Sequence, residues 1–326
     1  MTNSFKESAY VSAPTLRRDT PELFSVASEG EKVGSIGVSI NPYHNRNHYL
    51  RLDLSRYETE WAKPLFERLA YELKNPLQVM ASSGDALTAD FLLAGGFELK
   101  RRCFEMEVSE NDMVGVICRT APKRAQKGSS EYDGCCRLLY SYYCGTHEAI
   151  NPLTAEPDEF CELLPETVLY QSDEAGFLHC AFVEENEIAY VCTADIRAFA
   201  AFAAAVAAEL FKEYETICFE ADDCDEAAMA LKALFASGEL SETDTYVLDD
   251  YAAGELSETD AYVLHDYAAG KLSETDTYVP DEYAAGKLSE TDAYVPAGRM
   301  SCGFSWNADK PCLLRTGTSA DMAKRS

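Results

Sequence analysis

The sequence predicts an α/β protein of the α+β kind: two related mixed-sheet domains, the second followed by an acidic repeat array. Three observations predict this. Residues 33–99 run strand, loop, strand, helix, strand, helix, and residues 175–240 repeat that order. In each copy one stretch carries apolar residues four apart, the spacing of a helix face. From Gly238 a unit reading GELSETDTYVLDDYAA recurs with a period of 16, at Gly254, Gly270 and Gly286.

Taken in order, Val33–Ile40 and His48–Leu54 alternate as two antiparallel strands around the loop NPYHNRN. Their counterparts, Gly176–Val183 and Glu187–Cys192, flank a much shorter turn at Glu185–Asn186. Trp61, Leu65, Leu69 and Leu73 form one helix face, and Phe202, Val206 and Leu210 form the other. Pro64 falls late for a first turn, which predicts an irregular start to the first helix. Short apolar strands follow at Leu77–Ser82 and Thr216–Ala221. Each meets a hydroxyl or acidic cap, Ser82–Asp85 or Asp222–Asp225, and a helix closed by glycine at Gly95–Gly96 or Gly238. The predicted organisation is a domain over 1–118, a basic, small-residue linker over 119–134 and a second domain over 135–240. Repeats over 241–297 follow, their first unit beginning at 238, and then a basic tail over 298–326.

Charge narrows the function classes. The 326 residues carry 28 basic and 56 acidic side chains, a net charge of −28. Nearly half lies in the array, whose four copies hold −5, −4, −3 and −1. Such a surface repels phosphate backbones and anionic lipid, so neither nucleic acid nor membrane is an expected partner. The longest apolar run, Ala198–Phe211, is shorter than the roughly 18–20 residues that span a bilayer. The first residues lack the charged-then-apolar order of a signal peptide. Twelve cysteines without a framework spacing read as reduced thiols in a cytoplasm.

The segment ASSGDALTADFLLAGGFELKRRCFEMEV, residues 81–108, resembles the fifth strand, fourth helix, Gly-Phe and sixth strand of GNAT-type N-acetyltransferases. EADDCDEAAMALKALFASGEL, residues 220–240, is similar to the same segment without the Phe. With the element order, the likeness covers about 33–108 and 166–240, and the first copy has little room at its front for the family's first strand and two helices. The resemblance implies a sheet splayed between fourth and fifth strands, with acetyl-CoA as co-substrate in the split. Pantetheine would pair with the backbone of His48–Leu54 or Glu187–Cys192, Leu54 and Cys192 among them. The pyrophosphate would meet a helix N-terminus.

At that helix start the family writes Gln/Arg-x-x-Gly-x-Gly/Ala. The first copy reads Arg56-Tyr57-Glu58-Thr59-Glu60-Trp61, which keeps the arginine, lacks glycine and adds two carboxylates. The second reads Arg197-Ala198-Phe199-Ala200-Ala201-Phe202, where small alanines make the loop less hostile to phosphate. The implied base is a carboxylate on or near the fourth strand: Asp53 or Glu58 in the first copy, Glu187 or Glu220 in the second. The family's tyrosine acid falls at Leu92 and near Leu234, and neither can donate a proton.

Other groupings carry ordinary readings. Cys144-x2-His147 has zinc-knuckle spacing but no second knuckle, so no metal is expected. His44 and His48 read as exposed turn residues. Glu220, Asp222, Asp223, Asp225 and Glu226 read as capping and dipole compensation. Each repeat unit fits either a short capped helix or a strand, and Pro280 and Pro296 interrupt the later ones. The expected function is acetyl transfer from acetyl-CoA to a primary amine of a small molecule or peptide. The alternative is a degenerate, non-catalytic binding or structural module, and monomer and homodimer both stay open.

Overall fold

A computed structural model describes residues 14–115, 120–174 and 176–249. The later repeat units and the basic tail lie outside them. The chain begins with four antiparallel strands, β1 (Thr15–Thr20), β2 (Leu23–Ser28), β3 (Glu31–Asn41) and β4 (His44–Leu54). Then follow α1 (Thr59–Leu73), β5 (Leu77–Ser82), α2 (Ala86–Ala94) and β6 (Glu98–Ser109). The second half contains β7 (Lys123–Gln126), α3 (Ser130–His147), α4 (Pro157–Glu162), β8 (Thr167–Asp173), β9 (Gly176–Glu184) and β10 (Glu187–Thr193). It closes with α5 (Ile196–Leu210), β11 (Thr216–Asp222), α6 (Glu226–Lys232) and β12 (Glu239–Leu248).

Local chemistry accounts for most boundaries. Glu29 and Gly30 both take positive φ, 54° and 85°, which turns β2 tightly into β3. Gly34 (φ 154°) lies against β4 so closely that a Cβ there would sit 2.1 Å from the Asp53 carbonyl oxygen. The Asn41 side chain accepts from Tyr43 N at 2.9 Å, so the predicted long loop collapses to a turn and β4 starts at His44. α1 runs without interruption from Thr59 through Pro64, because its buried face, Trp61, Leu65, Phe66 and Leu69, holds it to the sheet. Asp85 caps α2 by accepting from Thr88 N, and Asp225 caps α6 by accepting from Ala227 N and Ala228 N. α6 ends at Lys232, six residues before the expected glycine.

All twelve strands form one sheet in the order β1-β2-β3-β4-β5-β12-β6-β11-β10-β9-β8-β7. The order is symmetric about its centre, and both halves end in the succession hairpin, helix, strand, helix, strand; the first lacks the two helices that α3 and α4 place between β7 and β8 of the second. The halves exchange their last strands. β12, from the second half, lies between β5 and β6 and is antiparallel to both. β6, from the first, lies between β12 and β11. β12 is the first repeat unit, which therefore takes the strand option. Within the predicted linker, Lys123–Gln126 form edge strand β7 and Ser130 opens α3.

α1 and α2 cover one face of the first half around Phe66, Phe91 and Phe97. The second half is covered on both faces. Ala181 and Val183 of β9 face α5 and α6, while the alternate Cys180 and Phe182 face α3 and α4. Residues after α3 reach back to the first half. The Asn47 side chain donates to Ile150 O at 3.0 Å, and Thr154 N donates to Tyr43 O at 2.8 Å.

Candidate functional site

Two parallel pairs, one per half, open the sheet. β4 and β5 pair only over His48–Leu50 and Leu77–Val79, then diverge. His48 N donates across this pair to Pro76 O at 2.9 Å. Alternation along a strand puts the N–H and C=O of Leu50, Leu52 and Leu54 on the same side. Beyond Leu50 no described strand pairs with that edge. β10 and β11 pair over two residues, Glu187–Ile188 with Cys218–Phe219.

The two openings differ in free volume. A cavity of about 900 Å³ lies at the first, lined by His48, Leu52, Tyr57, Val79, Asp85 and Thr88 among others. About 30 Å³ remains at the second, because Tyr142, Tyr143 and His147 of α3 project into it. The volumes reverse the order in which the loop sequences rank the two copies.

His48 lines the first cavity together with the titratable Glu22, Tyr57 and Asp85. Its Nδ1 is buried and has no partner among the described residues. Burial, then the Arg18 charge, lower its pKa, so the ring is neutral at neutral pH. His44, one helical turn away in sequence, lies elsewhere. It is buried, its Nδ1 is 2.8 Å from Asn151 O, and its Nε2 is 3.2 Å from the Tyr143 hydroxyl. Neither histidine is an exposed turn residue.

The residues chosen from sequence are scattered. Asp53 is exposed on β4 opposite Ser35, and Leu54 ends β4 against the core. The Arg56 guanidinium lies over the Trp61 ring at 5.0 Å. Glu58 occupies the α1 N-cap without a side-chain capping bond, and Glu60 sits in the first turn. None of Asp53, Leu54, Arg56 and Glu58 lines the first cavity. In the second half Glu187 opens β10, and Cys192 is buried opposite Cys180. Arg197 is 87% exposed, and both its Nε and Nη2 donate to Asp195, which caps α5. Asp195 thus places a carboxylate where the sequence suggested a phosphate. Ala198 and Ala201 are exposed and Ala200 is half-buried on α5.

Glu220 and Asp222 line the small second cavity with His147 and Asp225. Burial, reinforced by the Asp222 and Glu105 charges, pushes Glu220 up to about 8. Arg101 Nη1 donates to Asp222 at 2.9 Å, yet burial still leaves the Asp222 carboxyl above its usual range. Burial, then Arg101 and His44, press His147 down to about 3. The Tyr142 hydroxyl donates to Asp225 at 2.6 Å. Asp222 Oδ1 is buried with no partner among the described residues, and Glu220 is met by the Cys103 thiol at 3.9 Å. Cys144 and His147 gather no further ligand, and no cluster of three metal-ligating side chains occurs among the described residues. No helix of the described residues is long and apolar enough to cross a membrane.

Neither a family model nor a curated protein matches the sequence. Solved structures do match. A GCN5-related N-acetyltransferase from Sphaerobacter thermophilus aligns at 11% identity and TM-score 0.42, over 70% of this chain and 80% of that one. A tandem GNAT protein from the clavulanic acid biosynthesis pathway aligns at 13% and 0.41, over 72% and 83%. A conserved protein of unknown function from Enterococcus faecalis aligns at 11% and 0.40, over 68% of this chain but 61% of its own length.

Proposed function

We propose that the first half moves an acetyl group from acetyl-CoA to a primary amine bound in the cleft between β4 and β5. The observation that carries this reading is the three-residue β4–β5 pair that opens onto about 900 Å³. That volume falls within the roughly 300–1,000 Å³ of small-molecule sites. The free edge of β4 at Leu52 and Leu54 offers N–H and C=O groups to the amides of pantetheine. The α1 N-terminus, whose first N–H groups receive no side-chain cap, faces the diphosphate. Arg56 is the nearby cation, and Glu58 and Glu60 weaken that end of the site.

The chemistry follows from the neutral imidazole. The amine nitrogen attacks the thioester carbonyl while the His48 imidazole, which lines the cavity, accepts its proton. The carbon–sulfur bond breaks, and the thiolate leaves and takes that proton back, giving amide and free CoA. Asp53 and Glu58 lie off the cavity lining, which favours His48 over either as base. The second half, with its opening filled by α3, acts as a structural partner. Glu187, Glu220, Arg197, Ala198, Ala200, Ala201 and Cys192 then have no role in transfer.

A melting experiment tests the reading. Acetyl-CoA at about 100 times its dissociation constant adds roughly 2.7 kcal/mol, and each kcal/mol moves the midpoint of a chain this size by about 2–4 °C. The shift is expected in the native protein and lost in Leu52→Trp, which fills the cleft. Absence of both a shift and thiol release with varied amines would overturn it.

A further inference from the structure

The slot between β5 and β6 is filled by the first of four nearly identical units, and the occupant is held through residues that the other units repeat. Asp244 accepts from Arg102 Nε at 2.7 Å and from the Ser83 hydroxyl at 2.7 Å. Tyr246 and Val247 are buried, Tyr246 within the first-half core. Thr245 accepts from Arg101 Nη2 at 3.3 Å. Asp249 pairs with Lys100 at 3.0 Å.

The second unit, Leu256–Leu264, repeats Leu240–Leu248 with one change, Ala261 in place of Thr245. That change removes a single hydrogen bond to Arg101. Beyond it, His265 replaces Asp249. The third unit keeps the threonine as Thr277 and the aspartate as Asp281, but places Pro280 where Leu248 faces Leu77. The fourth carries both Ala293 and Pro296. Asp260, Tyr262 and Val263 reproduce the three anchors of β12, and so do Asp276, Tyr278 and Val279.

We propose that the surplus units are alternative occupants of the β12 slot within the same chain, the second unit first among them. Seating it loops out the sixteen residues of unit one. Loop-closure entropy grows slowly with length, so lengthening the link from α6 by one unit lowers occupancy only about tenfold. The lost Arg101–Thr245 bond and the Asp249 ion pair set unit one ahead by a further factor of a few. Damage to unit one reverses the order. The array is thus a set of spare strands for the central position of the sheet, where both β5 and β6 depend on the occupant.

The experiment uses the full chain. Tyr246→Asp alone is expected to leave a soluble, folded protein, whereas the same change in all four units (Tyr246, Tyr262, Tyr278 and Tyr294→Asp) is expected to leave none. A second measurement reads the slot directly. Ser83 N donates to Glu242 O, so the neighbouring pair Ser82–Thr243 is non-hydrogen-bonded, the closer kind. Ser82→Cys with Thr259→Cys is expected to cross-link within one chain under oxidation, weakly with unit one intact and at least tenfold more in Tyr246→Asp. Loss of folding in the single variant with no cross-link would overturn the proposal. So would folding of the fourfold variant, or a cross-link found only at twice the chain mass, which would assign the exchange to neighbouring copies.

Discussion

Arg101 of β6 and Asp222 of β11 form an ion pair across the junction of the two halves, with Nη1 donating to Oδ2 at 2.9 Å and each side chain no more than 6% exposed. Breaking such a pair from one side leaves an uncompensated buried charge, which costs about 3–5 kcal/mol. Arg101→Met is therefore expected to lower the urea midpoint sharply, and Arg101→Met with Asp222→Leu to recover much of the loss. If the single variant unfolds like the native protein, the pair does not fasten the halves.

The Glu220 carboxyl makes stability depend on pH. Its folded pKa, about 8, is raised above the ordinary 4.5. A raised carboxyl contributes stability that is complete below the unfolded value and is lost as pH rises through the folded one. His147, depressed to about 3, acts in the opposite sense below 6.5. The stability difference between native protein and Glu220→Gln isolates the first effect. Melting series from pH 4.5 to 8.5 are expected to show that difference moving against the native protein by several degrees. A constant difference would mean that Glu220 is ionised throughout.

His48→Gln bears on the chemistry. Loss of a general base costs typically 10²–10⁴ in rate, so kcat is expected to fall by about that factor with little change in KM. Because burial lowers the His48 pKa, the acidic limb of native kcat/KM is expected below the usual histidine range. Equal loss in Asp53→Asn would return the base to the carboxylate.

Removing Gly254–Ala285, two whole units, keeps β12 and all its described partners. Loop length contributes little to stability, so the urea midpoint is expected to stay within error of the full chain. A large fall would mean that the later units also complete the sheet.

Much of the fold was legible because it is written in local patterns. The Trp61–Leu69 stripe, the Asp85 and Asp225 caps and the Gly95–Gly96 stop each depend on a few neighbouring residues. β7 escaped because it is a short edge strand with three exposed residues, so KRAQ shows no apolar alternation. The exchange of β6 and β12 escaped for another reason. Leu240–Leu248 ends in the β-favouring run Thr245–Leu248, but nothing in one strand says which edge receives it. The site was less legible. His48 opens a strand that the sequence shows, but the asparagines before it imitate a loop end, and the burial of its Nδ1 comes from packing that no local pattern records. Nor could spacing foretell that Tyr142, Tyr143 and His147 would close one opening and leave the other clear.

The exchanged strands also set a timetable for synthesis. β5 and β6 leave the ribosome with their shared neighbour still about 140 residues away, roughly seven to thirty seconds at ordinary elongation rates. Through that interval both present bare edges, the kind that recruit foreign strands. The nascent first half is therefore the stage most in need of a chaperone, and a pause in translation just before Gly238 would prolong its exposure.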